Sequence, residues 1–372
     1  MATAQNPKSN KPTVVVGMSG GVDSSVSAYL LKEQGYNVIG LFMKNWEETD
    51  ECGFCTAESD FNDVKRVCEV LQIPYYSVNF SREYMDKVFA YFIDGLKRGI
   101  TPNPDILCNR EIKFGFFLDF ADKLGAEYIA TGHYARREAP QHIERRKRED
   151  TANVRLLRAT DTKKDQTYFL CGLNQKQLSR VIFPIGGIEK PRVREIAREL
   201  GLVNHDKPDS TGICFIGERN FRNFLRDHIG DLDGDIKTLD GVVVGRHKGL
   251  HNYTIGQRKG MGIGATNEKT DKWFVVRKDV ATNTLYVNNG DCDELYTTEL
   301  CTRNFNWIAG EPPKILTGLT AKTRYRQPDQ DCRIEIVGGV RVIFDTPQRA
   351  VTAGQWVAIY DGAVCLGGGE IC

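Results

Sequence analysis

Apolar residues recur along this chain in two periods, and the period changes near residue 232. In the first part, short unbroken apolar runs alternate with runs of helical spacing. Val14, Val15 and Val16, closed by Gly17, read as a buried strand. Val22, Val26, Tyr29 and Leu30 then return at the three-to-four-residue spacing of a helix, which Gly35 ends. Residues 38–43 (VIGLFM) are a second strand, Val64, Val67, Cys68 and Leu71 mark a second helix, and 74–79 (PYYSVN) are a third strand. Tyr84, Met85, Val88, Phe89, Phe92 and Leu96 give a helix with a wide apolar face, and Phe114, Phe117, Leu118, Ala121 and Leu124 another. Tyr128, Ile129 and Ala130 form a further strand, running into Thr131-Gly132-His133-Tyr134. Strands separated by amphipathic helices predict a parallel sheet covered on both faces. Ligands of such sheets bind beyond the carboxyl ends of the strands. Residues 19–25, Met43, Gly132 and His133 all fall there.

After Lys190, the apolar positions Val193, Ile196, Ala197 and Leu200 predict one more helix, stopped by Gly201, and 221–228 a short one. Past residue 232, short alternating runs broken by glycines take over: GVVVGRHKG, KWFVVRKD, TLYVNN, LTAKTRYR, DCRIEIV, RVIFD and QWVAIYDG. This spacing predicts antiparallel β structure with a small barrel toward the end of the chain. The partition expected is a polar tail over 1–12, an α/β catalytic domain over 13–218, a small central domain over 219–288 and a β-barrel over 289–372. Residues 136–152 are a charged interruption in which Arg145, Arg146, Lys147 and Arg148 are flanked by Glu144, Glu149 and Asp150. They read as a solvated loop or as a phosphate-contacting arm.

Composition narrows the function classes. The 372 residues are 41% hydrophobic and 27% charged, with a formal net charge of +1. That is ordinary for a soluble globular protein, and any nucleic-acid contact must come from local basic patches. No apolar run approaches the roughly 18 residues of a membrane span. The opening residues are polar and lack an apolar signal core, as expected of a cytoplasmic protein. Eleven cysteines are scattered through the chain rather than spaced as a disulfide framework. Most are expected to be small buried hydrophobes.

Ser19-Gly20-Gly21-Val22-Asp23-Ser24-Ser25 joins the first strand to the first helix. Paired glycines allow a tight turn, and the unpaired N–H groups of the helix start, with three serine hydroxyls, make a seat for an anion. The turn is not a Walker A loop, since no Gly-Lys-Ser/Thr follows the glycines. SGGVDSS resembles the pyrophosphate loop of the ATP-pyrophosphatase superfamily, whose members activate a carbonyl oxygen as an AMP ester.

Two cysteines stand in unusual company. Cys108 follows Thr101-Pro102-Asn103-Pro104-Asp105-Ile106-Leu107, where two prolines are expected to keep the segment a loop. Cys108 would then sit near the start of the next helix, whose dipole favours a thiolate. Cys214 lies in Asp209-Ser210-Thr211-Gly212-Ile213-Cys214, a loop of small and polar residues. Taken singly, each is either a structural thiol or a reactive one. Cys52-Gly53-Phe54-Cys55 is either incidental or a redox or metal pair, and no further ligand is evident beside it. An adenylating loop and two thiols suit one chemistry. A nucleobase carbonyl oxygen leaves readily once it carries AMP, and a persulfide on one cysteine, attacked by a second, delivers sulfur to the carbon.

The stretches GMSGGVDSS, GLFMKNW, TPNPDILCNREIKF, ATGHYAR, KDQTYFL, DSTGICFIGERNF, TIGQRKGMGIG, KTRYRQ and VCLGGG together resemble the bacterial tRNA-specific 2-thiouridylase family (MnmA/TrmU), from about residue 12 to about 370. The resemblance implies an ATP-pyrophosphatase domain of the adenine nucleotide α-hydrolase type, a small central domain and a C-terminal antiparallel β-barrel that meets tRNA. It implies 2-thiouridine synthesis at the wobble uridine of tRNAs for Lys, Glu and Gln, with ATP, Mg2+ and sulfur from a cysteine desulfurase or a relay protein. Gly17, Met18, Ser19, Gly20, Gly21, Val22, Asp23, Ser24, Met43 and Gly132 match ATP-contacting positions. Cys214 matches the persulfide carrier and Cys108 its partner nucleophile. Asn103, Pro104 and Asp105 match the segment that meets the target uridine, with Asp105 as acid/base. His133, Lys164, Asp165, Gln166, Arg324, Tyr325 and Gln355 match tRNA-contacting positions, although His133 alone also reads as a satisfied buried histidine. No resident metal site is implied, and a monomer is expected. Cys52 has no fixed counterpart in the family pattern, and the charged insert around 138–150 lies where the family varies in length.

Two rivals remain. Another ATP-pyrophosphatase, such as an amidotransferase-type synthetase, would need an N-terminal nucleophilic cysteine, whereas the chain begins Met1-Ala2. An RNA-binding module with an inactive nucleotide fold would not need an intact SGGVDS or both cysteines.

Overall fold

Val14, Val15 and Val16 lie in the centre of a five-stranded parallel sheet and are fully buried, as an unbroken apolar run requires. The computed structural model describes residues 11–46, 56–139, 154–209, 221–230, 232–264 and 272–372. Cys52, Cys55, Cys214, the tail before residue 11 and residues 140–152 of the charged run lie outside them. The chain divides into two compact units.

The first unit comprises Met1–Arg82, Ile112–Thr167 and Gln175–Ser210. It contains β1 (Thr13–Met18), α1 (Val22–Glu33), β2 (Asn37–Lys44), α2 (Thr56–Leu71), β3 (Tyr75–Asn79), β4 (Tyr128–Ala130), β5 (Ala135–Glu138), β6 (Arg155–Arg158), β7 (Val181–Ile182) and α3 (Lys190–Glu199). The sheet order is β3-β2-β1-β4-β7, and every pairing in it is parallel. Connections leave β1 toward β2 on one side and reach β4 on the other. The order therefore reverses between β1 and β4, and a crevice opens at their carboxyl ends. Val22, Val26 and Leu31 of α1, Val64 and Val67 of α2 and Val193, Ile196 and Ala197 of α3 pack into one core with the sheet. Burying one Val or Leu side chain stabilises by about 1.5–3 kcal/mol, so these stripes fix the helices on the sheet.

The charged interruption was expected to be all loop. Instead, Arg136, Arg137 and Glu138 belong to β5, which pairs antiparallel with β6. Their polar side chains hid a strand, because a short strand with a solvated face carries little apolar signal.

The second unit comprises Glu83–Glu111, Tyr168–Asn174 and Thr211–Cys372. A four-stranded sheet, β8 (Asp233–Thr238), β9 (Val243–Lys248), β10 (Trp273–Asp279) and β11 (Thr284–Asn289), has the order β10-β11-β8-β9. Its core is Ile236, Tyr253, Val275, Leu285 and Val287. The sequence predicted antiparallel pairing throughout; β8 and β11 pair parallel, which alternation alone does not specify. The remaining strands are β12 (Tyr296–Trp307), β13 (Leu319–Lys322), β14 (Gln330–Ile336), β15 (Val340–Arg349), β16 (Trp356–Asp361) and β17 (Val364–Ile371). They run β12-β15-β14-β13-β16-β17, and β12 also pairs with β17. The six antiparallel strands thus close into a barrel without open edges, filled by Leu300, Ala321, Ile334, Val342, Val357 and Ile359. The architecture is an α/β parallel-sheet domain, a small central β domain and a C-terminal antiparallel barrel.

Candidate functional site

In the first unit, β1 ends at the glycine turn. Gly20 has φ +77°, and a Cβ there would lie 2.7 Å from the Asp60 carbonyl oxygen, so both conformation and space demand glycine. Gly21 caps α1 without a side chain. Ser24 and Ser25 Oγ each donate to Gly21 O at 3.0 Å, and Ser19 N donates to Ser24 Oγ at 3.2 Å. Gly132, just past β4, abuts this helix start: a Cβ on it would lie 2.7 Å from Ser24 N and 2.8 Å from the Asp23 carbonyl carbon. A Cβ on Gly17 would lie 3.2 Å from Met43 Cε. Met18 and Val22 are buried in the core, so their backbone, not their side chains, is what they can offer a ligand. All ten nucleotide positions named from the sequence therefore belong to the first unit and cluster at the carboxyl ends of β1, β2 and β4. Positive helix-end charge, free N–H groups and close backbone approach suit an anionic polyphosphate there.

Beside the turn lies an ion network that the sequence did not reveal. Lys190 Nζ, at the start of α3, donates to both oxygens of Asp23 at 2.8 Å and lies 2.7 Å from Asp209 Oδ1. Its side chain is 8% exposed. Tyr134 Oη also donates to Asp23 at 3.0 Å. Asp209 further accepts from Lys164 at 2.7 Å and Arg194 at 3.3 Å. Burial opposes the charge on Asp209, but the hydrogen bonds from Lys164 and Lys190 and their charge outweigh it and hold its carboxyl at about 2. Burial, then the Asp23 charge and hydrogen bond, push the Tyr134 phenol well up. Asn204 Nδ2 braces the turn from behind, donating to Gly20 O and Ser25 Oγ at 2.9 Å each. In sequence Lys190 reads only as a helix start before Pro191, because its carboxylates are distant along the chain. Tyr134 and Asp209 stood inside ATGHYAR and DSTGIC, where their own roles went unread.

His133 follows Gly132 and is half-buried. Its Nδ1 pairs with Thr131 Oγ1 at 2.8 Å, and its ring lies 5.6 Å from Phe114 and 6.4 Å from Phe183. Burial, then Lys113, lowers its pKa well below 6.5, so the ring is neutral at physiological pH. Gln166 exchanges hydrogen bonds with the Tyr134 backbone, Tyr134 N to Gln166 Oε1 and Gln166 N to Tyr134 O, each 2.8 Å. Asp165 is buried and accepts from Ala159 N at 3.0 Å and Thr167 Oγ1 at 2.8 Å. Lys164 is the member of this trio with a charge at the surface.

In the second unit, the segment after Thr101 departs from expectation. Helix begins at Pro104, with Asn103 as N-cap accepting from Ile106 N at 3.4 Å. It runs over Pro104–Leu107 and opens into wider π-type turns over Cys108–Phe116. Pro104 does not break the helix, because proline at the first helical position gives up only an N–H that would be unpaired anyway. Cys108 is therefore a full turn inside, fully buried, and neither on a loop nor at the dipole's end. Asn103 and Pro104 are buried and Asp105 is half-buried. Tyr168 Oη hydrogen-bonds Asn103 and donates to Trp356 O at 2.9 Å. Arg324 donates to Ala350 O at 2.8 Å, and burial lowers its pKa. The ring of Tyr325 packs on Phe169 at 4.5 Å. Gln355 Nε2 donates to Thr101 O at 2.8 Å. Among the described cysteines, Cys68, Cys108, Cys171, Cys332 and Cys365 are buried, whereas Cys301 and Cys372 are exposed. Burial pushes the Cys68 and Cys332 thiols up to about 12, an inert state.

A parallel α/β sheet with a glycine turn at its switch point fits an α/β domain of the HUP class. Residues 12–218 match the family described as tRNA methyl transferase HUP domain, 222–289 the tRNA methyl transferase PRC-barrel domain and 297–371 the aminomethyltransferase beta-barrel domain. The chain is 53% identical over 368 residues to the tRNA-specific 2-thiouridylase MnmA of Alkaliphilus oremlandii, covering 98% of each protein. It is 55% identical over 369 residues to tRNA-specific 2-thiouridylase MnmA 2 of Geobacillus kaustophilus, covering 98% of this chain and 96% of that one. With MnmA of Bacillus velezensis it shares 55% identity over 365 residues, or 96% and 94% of the two chains. The chain belongs to the tRNA-specific 2-thiouridylase family. Among the described residues, no helix is long and apolar enough to cross a membrane, and no three His, Cys, Asp or Glu side chains gather to hold a metal ion.

Proposed function

We propose that this protein is a tRNA-uridine sulfurtransferase that converts the wobble uridine of tRNAs for Lys, Glu and Gln to 2-thiouridine, using ATP. The observation that carries this is the glycine turn at the switch point with Lys190 beside it, in a chain of this family. ATP supplies the leaving group, turning the C2 oxygen of the uracil into an AMP ester and releasing pyrophosphate. The N–H groups at the start of α1 and the exposed Ser19 hydroxyl hold the phosphates, while Ser24 and Ser25 brace the turn through Gly21 O. Lys190 and Lys164 neutralise phosphate charge. Asp23 would offer one carboxylate to a Mg2+ ion brought in with the phosphates, and that ion would offset phosphate charge.

Cys214 carries a persulfide received from a cysteine desulfurase or a sulfur-relay protein. The Cys108 thiolate attacks the Cys214 sulfur, forming the Cys108–Cys214 disulfide and releasing hydrosulfide. Hydrosulfide adds at C2, and AMP departs with the original oxygen. A cellular thiol reduces the disulfide before the next turn. Because Cys108 is buried, its segment must open for this attack. Asn103, Pro104 and Asp105 receive the uridine, with Asp105 moving the proton. His133, Lys164, Arg324, Tyr325 and Gln355 contact the tRNA, while Gln166 holds the backbone beside His133 and Asp165 that of Ala159 and Thr167. A neutral His133 and the Tyr325 ring suit stacking on unpaired bases. The protein acts in the cytoplasm as a monomer.

The test is nucleoside mass spectrometry of unmodified tRNA after incubation with the protein, ATP, a desulfurase and cysteine. 2-Thiouridine is expected only with ATP present, and its absence with folded protein would overturn the assignment.

A further inference from the structure

Thr101 opens the segment proposed to meet the target uridine, and it is gripped from two sides within the second unit. From the barrel, Thr101 N donates to Ala353 O at 2.9 Å, and Gln355 Nε2 donates to Thr101 O at 2.8 Å. Gly354 packs so closely that a Cβ on it would lie 2.9–3.0 Å from the Thr101 backbone. From the central domain, Lys278 Nζ of β10 donates to Thr101 Oγ1 at 3.4 Å and to Tyr253 O at 3.1 Å. Val280, just past β10, sits where a Cβ on Gly99 would be, its Cγ2 2.4 Å from that position.

Lys278 is the unusual member of this grip. Its side chain is half-buried, and among the described residues no carboxylate forms an ion pair with it. Burial alone brings its pKa down from 10.5 to about 8. A buried charge without a counter-charge weakens the fold, and an apolar side chain of similar length would serve packing better. A charge turned inward onto two neutral oxygens, with no counter-charge, points to a task outside stability.

We propose that Lys278 is a positioning residue for thiolation: by bridging Tyr253 O and Thr101 Oγ1 it sets the start of the 101–105 segment, and so the placement of Asn103 and Asp105 against the target base. This rests on the proposed thiolation reaction. Asn103 is the N-cap and Asp105 lies in the first turn of the same short helix, so a shift at Thr101 is passed through Pro102 to Asn103 and on through Pro104 to Asp105. A displacement of about 1 Å at reacting groups lowers rates by as much as ~10²-fold.

The experiment compares full-length Lys278→Met, Lys278→Arg, Thr101→Val and the Lys278→Met/Thr101→Val double variant with the parent protein. It measures steady-state thiolation of unmodified tRNA and thermal melting. Lys278→Met is expected to lower kcat roughly tenfold or more, with KM for tRNA within about threefold and a melting temperature equal to or above the parent's. Lys278→Arg, which keeps a long donor, should recover part of kcat. Thr101→Val should lose kcat similarly, and the double variant should be no slower than Lys278→Met, since both changes remove one contact. Parental kcat in Lys278→Met, or a loss in the double variant equal to the product of the two single losses, would overturn the inference. A fall in kcat that tracks a fall in melting temperature would also overturn it, as a merely structural role. If the parent protein itself makes no 2-thiouridine, the thiolation reading fails first, and the two failures are distinguishable.

Discussion

Lys190→Met should uncouple the two halves of the nucleotide seat. The lysine bridges Asp23 and Asp209, with oxygens of both within 2.8 Å of its Nζ. Removing it leaves two carboxylates facing one another. Breaking a fully buried pair costs about 3–5 kcal/mol. Here the lysine side chain is 8% exposed but the aspartates are 29% and 35% exposed, and Lys164 and Arg194 still reach Asp209. Water and these cations reduce the loss to about 2 kcal/mol. At roughly 2–4 °C per kcal/mol, the first unit should melt about 4–8 °C lower. The sign with pH follows from Asp209, whose folded pKa of about 2 lies below its ordinary 3.8. A depressed carboxylate contributes stability that is fully present above its unfolded pKa and lost as pH falls through the folded one. The gap between parent and variant should therefore be full above about pH 4 and narrow toward about pH 2. Calorimetry across pH, with Asp209→Asn and the double variant completing a cycle, measures it; a coupling of about 1–3 kcal/mol is expected. Pyrophosphate release from ATP in the presence of tRNA should fall at least about 10²-fold in Lys190→Met. A variant that melts with the parent, couples additively with Asp209→Asn and releases pyrophosphate normally would refute the role of this network.

Other perturbations test separate parts of the site. Gly132→Ala forces a methyl to within 2.8 Å of the start of α1; it should destabilise by about 1–3 kcal/mol and raise KM for ATP, both readable by denaturant melts and ATP titration. Asp23→Ala should impair pyrophosphate release while filter binding still shows tRNA retained. Cys214→Ser should abolish the persulfide adduct, seen as the mass of one sulfur on the intact protein, whereas Cys108→Ser should keep the adduct and stop its transfer. Because burial and Lys113 hold His133 neutral, His133→Phe should leave the pH dependence of tRNA affinity between about pH 6 and 8 unchanged, while His133→Ala weakens binding at every pH by about 1–3 kcal/mol.

What could be read from the sequence was what is local. Val14, Val15 and Val16 declare a buried strand by themselves, and Gly20 and Gly21 declare the turn that follows. The carboxyl-end rule for parallel sheets then puts Gly132 at the same edge of the sheet as that turn. Lys190 was illegible because its meaning depends on Asp23, 167 residues away. Arg136 and Glu138 were illegible as strand because β5 shows a solvated face. Cys108 was misplaced for a different reason. The two prolines predict a loop there, whereas with Asn103 as cap Pro104 is a helix starter, which moves the thiol from the expected helix start into the interior. Lys278 shows the same limit as Lys190: an alternating strand pattern predicts β10 but not that one lysine on it turns inward onto Thr101.

The central claim is that the glycine turn after β1 and the cysteines serve one reaction on tRNA. Its most direct test is 2-thiouridine formation by the parent protein, Asp23→Ala and Cys214→Ser, measured on one preparation of unmodified tRNA with ATP, a desulfurase and cysteine. The account predicts 2-thiouridine from the parent protein, none without ATP and none from either variant. Undiminished 2-thiouridine without ATP or from Cys214→Ser, or none from the folded parent protein, would contradict it.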